Sequence, residues 1–151
     1  MITRRFAENQ ETPFAVCKMK ADIHTVLYVE DNPANLLLVT QLISRRQDTK
    51  LLSAISGDLG ILIAKTYRPS VILMDINLPG INGFDALTIL RNDPATLHIP
   101  VIALSSNAFP KDIENGLKAG FFRYLTKPFL VTDFLEALEV ALYQVEKNRQ
   151  S

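Results

Sequence analysis

The sequence predicts an α/β domain built on a parallel, doubly wound sheet. Short apolar runs alternate with stretches of helical periodicity five times from His24 onward. The runs are continuously apolar rather than alternating, which suits strands covered on both faces. Four of them end in polar side chains, and such sheets bind ligands beyond the C-terminal ends of their strands.

The elements follow in order. Thr25–Val29 reads as a first strand ending in Glu30 and Asp31. Asn32 caps a helix with Pro33 in its first turn, and Leu36, Val39 and Ile43 recur at helical spacing. Leu51–Ile55 is a second strand. Ser56 caps a helix expected to carry Leu59, Leu62 and Ile63 on one face. Pro69 interrupts, and Ser70–Met74 forms a strand ending in Asp75. Pro79, Gly80 and Gly83 mark a tight loop before a helix with Phe84, Leu87 and Leu90. Ile99–Leu104 is a fourth strand, ending at Ser105 and Ser106. Pro110 opens a helix with Ile113 and Leu117, stopped by Gly120. Phe121–Leu125 is a fifth strand ending at Thr126, Lys127 and Pro128, and Phe134, Leu138, Ala141 and Val145 give a last amphipathic helix. Residues 1–22 show neither period and read as a tail or linker, 23–147 as the domain, and 148–151 as a short C-terminal tail.

Composition narrows the class. The chain has 151 residues, 48% hydrophobic, and its 16 basic and 16 acidic residues cancel. Nucleic-acid-binding domains carry a basic excess, so no nucleic-acid partner is expected. Cys17 is the only cysteine, which suits a reducing compartment. No apolar run reaches transmembrane length and no signal peptide is evident, so a cytoplasmic domain without membrane contact is expected.

The chemistry lies at the strand ends. Glu30, Asp31, Asp75, Ser105 and Lys127 would face one crevice. Three nearby carboxylates resist joint ionisation, a cost that a hard divalent cation removes. A carboxylate can attack phosphorus, and the transferred phosphoryl group spreads its charge over its equatorial oxygens. A metal, an ammonium and a hydroxyl on different sides would stabilise that charge. Neither His24 nor His98 has a second ligand at metal spacing, and Gly80 and Gly83 lack the phosphate-loop pattern. Phe121 and Phe122 read as strand packing.

Four blocks carry a resemblance: Val26-Leu27-Tyr28-Val29-Glu30-Asp31-Asn32, Leu73-Met74-Asp75-Ile76-Asn77-Leu78-Pro79-Gly80, Ala103-Leu104-Ser105 and Tyr124-Leu125-Thr126-Lys127-Pro128-Phe129. In this order, with Ser105 30 residues after Asp75 and Lys127 22 after Ser105, they resemble the receiver domains of two-component response regulators. The resemblance covers about residues 24–145. It implies a flavodoxin-like five-stranded sheet of order 2-1-3-4-5 with five helices. It also implies a phosphorelay module that takes a phosphoryl group from a histidine kinase or histidine phosphotransfer protein. Asp75 matches the phosphoacceptor. Asp31 matches the direct metal-binding acid, Glu30 its partner acting through water, and Asn77 the position whose backbone carbonyl binds Mg²⁺ or Mn²⁺. Lys127 matches the phosphoryl-binding Lys, Ser105 the switch hydroxyl and Tyr124 the switch aromatic. A cis Lys127–Pro128 bond is expected, as is a homodimer through the face of helix four, strand five and helix five.

Two positions depart from the commoner pattern. Glu30 stands where many members have Asp, and Ser106 where a small Ala is usual, which bears on phosphorylation lifetime. The blocks around Ser105–Pro110 and Gly120–Tyr124 look like receivers attached to hybrid histidine kinases. The alternatives are an aspartyl-phosphate phosphohydrolase and a flavin- or nucleotide-binding module. The first usually has a second Asp where Asn77 stands, and a ring of carboxylates would repel the phosphates of the second.

Overall fold

The computed structural model describes residues 23–149. The expected tail at 1–22 lies outside the described residues, as do 150 and 151. The order is β1 (His24–Val29), α1 (Pro33–Ser44), β2 (Thr49–Ala54), α2 (Gly57–Tyr67), β3 (Val71–Asp75), α3 (Gly83–Arg91), β4 (Val101–Ser105), α4 (Pro110–Ala119), β5 (Arg123–Thr126) and α5 (Val131–Arg149). All strand pairs are parallel and the sheet order is β2-β1-β3-β4-β5. Asn148 and Arg149, expected to begin the tail, continue α5.

Side chains leave the three central strands on alternate faces, as strand geometry requires. Val26 and Tyr28 of β1, Val71 and Leu73 of β3, and Ile102 and Leu104 of β4 pack with α1 and α5 around Val39, Ile43, Phe134 and Leu138. Leu27 and Val29, Ile72 and Met74, and Val101 and Ala103 pack with α2 and α3 around Ile61, Ala64, Leu87 and Leu90. Both faces are therefore dry, which is why the strands read as unbroken apolar runs.

The caps explain several boundaries. Asn32 Oδ1 accepts from the backbone N–H groups of Ala34 and Asn35, with Pro33 opening α1. Ser56 caps α2 through Leu59 N–H, and Gly120, at φ 117°, ends α4 in the left-handed conformation.

Three expectations need correction. The buried face of α2 consists of Gly57, Gly60, Ile61 and Ala64; Leu59 and Leu62 are exposed, and only Ile63 of the expected trio packs on the core. The reason is close approach: a Cβ on Gly60 would lie 2.7 Å from Val29 Cγ2, so small residues mark the contact stripe. In α4, Leu117 is exposed and Gly116 is the one buried residue. The fifth strand begins at Arg123, and the preceding Phe121 is buried in an edge-to-face contact with Phe84.

The helices are not equally anchored. Burying a Leu or Phe side chain contributes about 1.5–3 kcal/mol. Phe134, Leu138 and Leu142 fix α5, whereas α4 offers the core only a glycine. Of the five helices, α4 has the least apolar burial holding it to the sheet.

Candidate functional site: an acidic cluster closed by a lysine

The sheet brings the C-terminal ends of β1, β3, β4 and β5 to one edge. Glu30 follows Tyr28 by two residues, Asp75 follows Leu73, and Lys127 follows Leu125, all on the face that packs against α1 and α5. Those three side chains meet. Lys127 Nζ lies 3.0 Å from Glu30 Oε1 and 3.3 Å from Asp75 Oδ2. The Lys127–Pro128 bond is cis, as expected.

Glu30 is 2% exposed and densely bonded. Its Oε1 accepts from Tyr28 OH at 2.8 Å, Asn35 Nδ2 at 3.2 Å and Lys127 Nζ at 3.0 Å. Its Oε2 accepts from Asn32 N–H at 3.2 Å. Asp75, 4% exposed, accepts from Asn77 N–H on Oδ1 at 3.0 Å. Asp31 is exposed and has no hydrogen-bond or ion-pair partner among the described residues. One carboxylate oxygen from each of Glu30, Asp31 and Asp75 can be chosen so that all lie within 4.8 Å of one another.

The electrostatics split the buried pair. Burial alone would raise Glu30, but hydrogen bonds from Asp75, Tyr28 and Lys127, and the Lys127 charge, hold its carboxyl down to about 2. Asp75 moves up, first by burial and then by its hydrogen bond with Glu30, with Asn77 N–H and Lys127 pulling the other way. Burial also drives the Tyr28 hydroxyl well above the ordinary phenol value, reinforced by Glu30. Without a cation, the cluster favours Glu30 ionised and Asp75 reluctant to ionise.

The cluster suits a hard cation. It offers oxygen donors only, one acid is open to solvent, and the buried pair has one lysine to offset its charge. Glu30, Asp31 and Asp75 could hold the ion.

Ser105 and Tyr124 lie on the other face. Ser105 is fully buried, and its Oγ accepts from Asn107 N–H at 3.0 Å. Tyr124 is half-buried against the α2 and α3 core, and its OH donates to Asn107 O at 3.1 Å. The two therefore meet through the backbone of Asn107. Ser106 N–H approaches Asn77 Oδ1 at 3.5 Å across the mouth of the cleft.

Glu30, Asp31, Asp75, Asn77, Ser105 and Lys127 lie at or just beyond the C-terminal strand ends, whereas Tyr124 lies within β5, opposite Ala103. Sequence reasoning missed Tyr28, Asn35 and Asn107. Tyr28 carried a signal: a tyrosine inside an apolar strand needs a partner for its hydroxyl, and Glu30 is two residues on, on the same face. Asn35 and Asn107 carried none, since loop and helix geometry alone bring them in.

This fold and cluster agree with a family match. The signature of the response regulator receiver domain fits residues 26–139. The chain belongs to that family. The receiver is 33% identical to Protein PilH of Pseudomonas aeruginosa over 117 residues, covering 78% of this chain and 96% of PilH. It is 34% identical to the polar-differentiation response regulator DivK of Brucella anthropi over 115 residues, 76% of this chain and 93% of DivK. Among solved structures, the receiver domain of the sensor histidine kinase PA1611 from Pseudomonas aeruginosa shares 31% identity and a TM-score of 0.72, covering 80% of this chain and 98% of that one. That structure has a magnesium ion coordinated in its active-site cleft. Among the described residues, no helix of this receiver is long and apolar enough to cross a membrane.

Proposed function

We propose that this receiver accepts a phosphoryl group on Asp75 from a phosphohistidine, carried by a histidine kinase or a histidine phosphotransfer protein. The observation that carries this reading is the lodging of Asp75. It is a buried carboxylate at the end of β3, reluctant to ionise alone, beside Lys127 and two further acids. An Asp75 carboxylate oxygen forms the new bond to phosphorus, the phosphorus–nitrogen bond breaks, and the imidazole leaves with the electron pair. Mg²⁺ or Mn²⁺, held by Glu30, Asp31, Asp75 and the Asn77 carbonyl, would neutralise the carboxylates and the phosphoryl oxygens. Lys127 offsets charge on the opposite side.

Output follows from Ser105 and Tyr124. To donate to a phosphoryl oxygen on Asp75, Ser105 Oγ turns toward β3 and loses its present bond to Asn107 N–H. Tyr124, tied to the carbonyl of Asn107, then turns inward, and the weakly anchored α4 follows. The face of α4, β5 and α5 is the output surface, for a partner or a second copy. This reading places the domain in the cytoplasm, as a stand-alone receiver or part of a hybrid kinase. Asn77 stands where a phosphohydrolase would need a proton shuttle, which disfavours hydrolysis of other substrates.

Acetyl phosphate with Mg²⁺ tests the proposal. Intact mass is expected to rise by one phosphoryl group, and EDTA or Asp75→Asn to abolish the gain. Equal labelling of the Asn variant would sink the assignment.

A further inference from the structure

The site uses Glu at position 30, and the floor beneath it shows why. Tyr28 is fully buried between α1 and α5, and its hydroxyl donates to Glu30 Oε1 at 2.8 Å. No other partner for that hydroxyl is present among the described residues. A buried hydroxyl without a partner costs about 1–3 kcal/mol, so Tyr28 and Glu30 need each other. The same Oε1 also receives Lys127, whose ammonium reaches on to Asp75. Tyr28, Glu30, Lys127 and Asp75 thus form one continuous chain, running from the apolar core to the proposed acceptor.

Side-chain length makes the chain selective. Asp is shorter than Glu by one carbon–carbon bond, about 1.5 Å. Hydrogen bonds between oxygens span about 2.5–3.0 Å, so a carboxylate drawn back by that much cannot keep both Tyr28 and Lys127. Glu also carries one more torsion than Asp, and its carboxylate wanders unless something pins it. Tyr28 pins it from below while Asn35 Nδ2 and Asn32 N–H hold it from the side.

We propose that Tyr28 is a positioning residue, matched to Glu30, that sets where the metal-facing Glu30 oxygen and the Lys127 ammonium stand. The proposal rests on the phosphoacceptor reading above. It assigns to a core tyrosine a role in the metal site that its burial alone would not suggest. Groups that fix a metal-binding side chain from behind typically change metal affinity about 10–100-fold when removed.

The test is a double-mutant cycle on the full chain, reading Mg²⁺ affinity of the unphosphorylated protein by titration calorimetry. Tyr28→Phe removes only the hydroxyl and keeps the packed ring. It is expected to weaken Mg²⁺ binding about tenfold. In the Glu30→Asp background the same change is expected to alter affinity by less than about twofold, because the bond is already lost. An equal loss in both backgrounds overturns the proposal. So does a lowered Tm with Mg²⁺ affinity unchanged, which is the signature of a merely structural tyrosine. Labelling by acetyl phosphate separates the two readings. If the parent is labelled and Tyr28→Phe binds Mg²⁺ as the parent does, only the positioning role fails. If the parent neither binds Mg²⁺ nor is labelled, both fail.

Discussion

Tyr124 lies so close over Gly116 that a Cβ built on the glycine would stand 2.4 Å from ring atom Cδ2 and 2.8 Å from Cε2. Gly116 is the buried residue of α4, so the helix rests on the sheet through this ring. Gly116→Ala must therefore move either the ring or the helix. The expected cost is about 1–3 kcal/mol, as for other overpacked contacts. The Tyr124 bond to Asn107 O should loosen with it. Denaturant unfolding gives the first quantity, and Tyr124 ring resonances give the second. An Ala variant with parental stability and an unmoved ring would show that the contact yields at no cost.

Ser105→Ala is expected to separate phosphorylation from output. The hydroxyl bonds to Asn107 N–H and has no part in the Glu30–Lys127–Asp75 chain. Labelling of Asp75 should persist. With beryllofluoride and Mg²⁺, amide exchange in residues 110–126 should change in the parent and stay nearly flat in the variant. A variant that responds like the parent excludes Ser105 as the coupling group.

Asp75→Asn should stabilise the metal-free fold at neutral pH. The fold raises the Asp75 pKa above its ordinary value of 3.8, with burial the main cause. The contribution of a raised carboxyl is full below the unfolded value and is lost as pH rises through the folded one. Asn keeps the shape without the charge. In EDTA its Tm should exceed the parent's near pH 7, and the gap should close as pH falls toward 3.8. Mg²⁺ should narrow the gap at neutral pH by stabilising the parent alone. Glu30 has the opposite sign: held down to about 2, it contributes stability above about 4.5 that is lost as pH falls toward 2.

Lys127→Ala should slow labelling by acetyl phosphate about 10²–10³-fold, the usual loss when a preplaced charge facing the transition state is removed. Mg²⁺ should bind at least as tightly, since a competing cation leaves Glu30 and Asp75. Labelling at the parental rate would remove Lys127 from the chemistry.

The sheet and most of the site were legible in the sequence for one physical reason. Both faces of the sheet are buried, so each central strand reads as an apolar run, and the first polar residue after it marks the functional edge. Glu30, Asp75 and Lys127 sit two residues beyond Tyr28, Leu73 and Leu125, and that parity alone puts them on one face. The helices were harder. On α2 the buried face is Gly57, Gly60, Ile61 and Ala64, and on α4 a single glycine, so a search for large apolar residues picked the exposed Leu59, Leu62 and Leu117. Asn107 was hidden because it works through its backbone, which no side-chain pattern reveals.

The alternation of faces has an evolutionary side. Glu30, Asp75 and Lys127 stand toward α1 and α5, while Ser105 and Tyr124 stand toward the other layer. The acidic centre and the proposed output surface are thus separate neighbourhoods, linked through β4 and the peptide of Asn107. Substitutions on α4 can accumulate without reaching the carboxylates. On the proposed reading, new listeners can be recruited to an old chemistry, one helix at a time, while the acidic edge stays as it is.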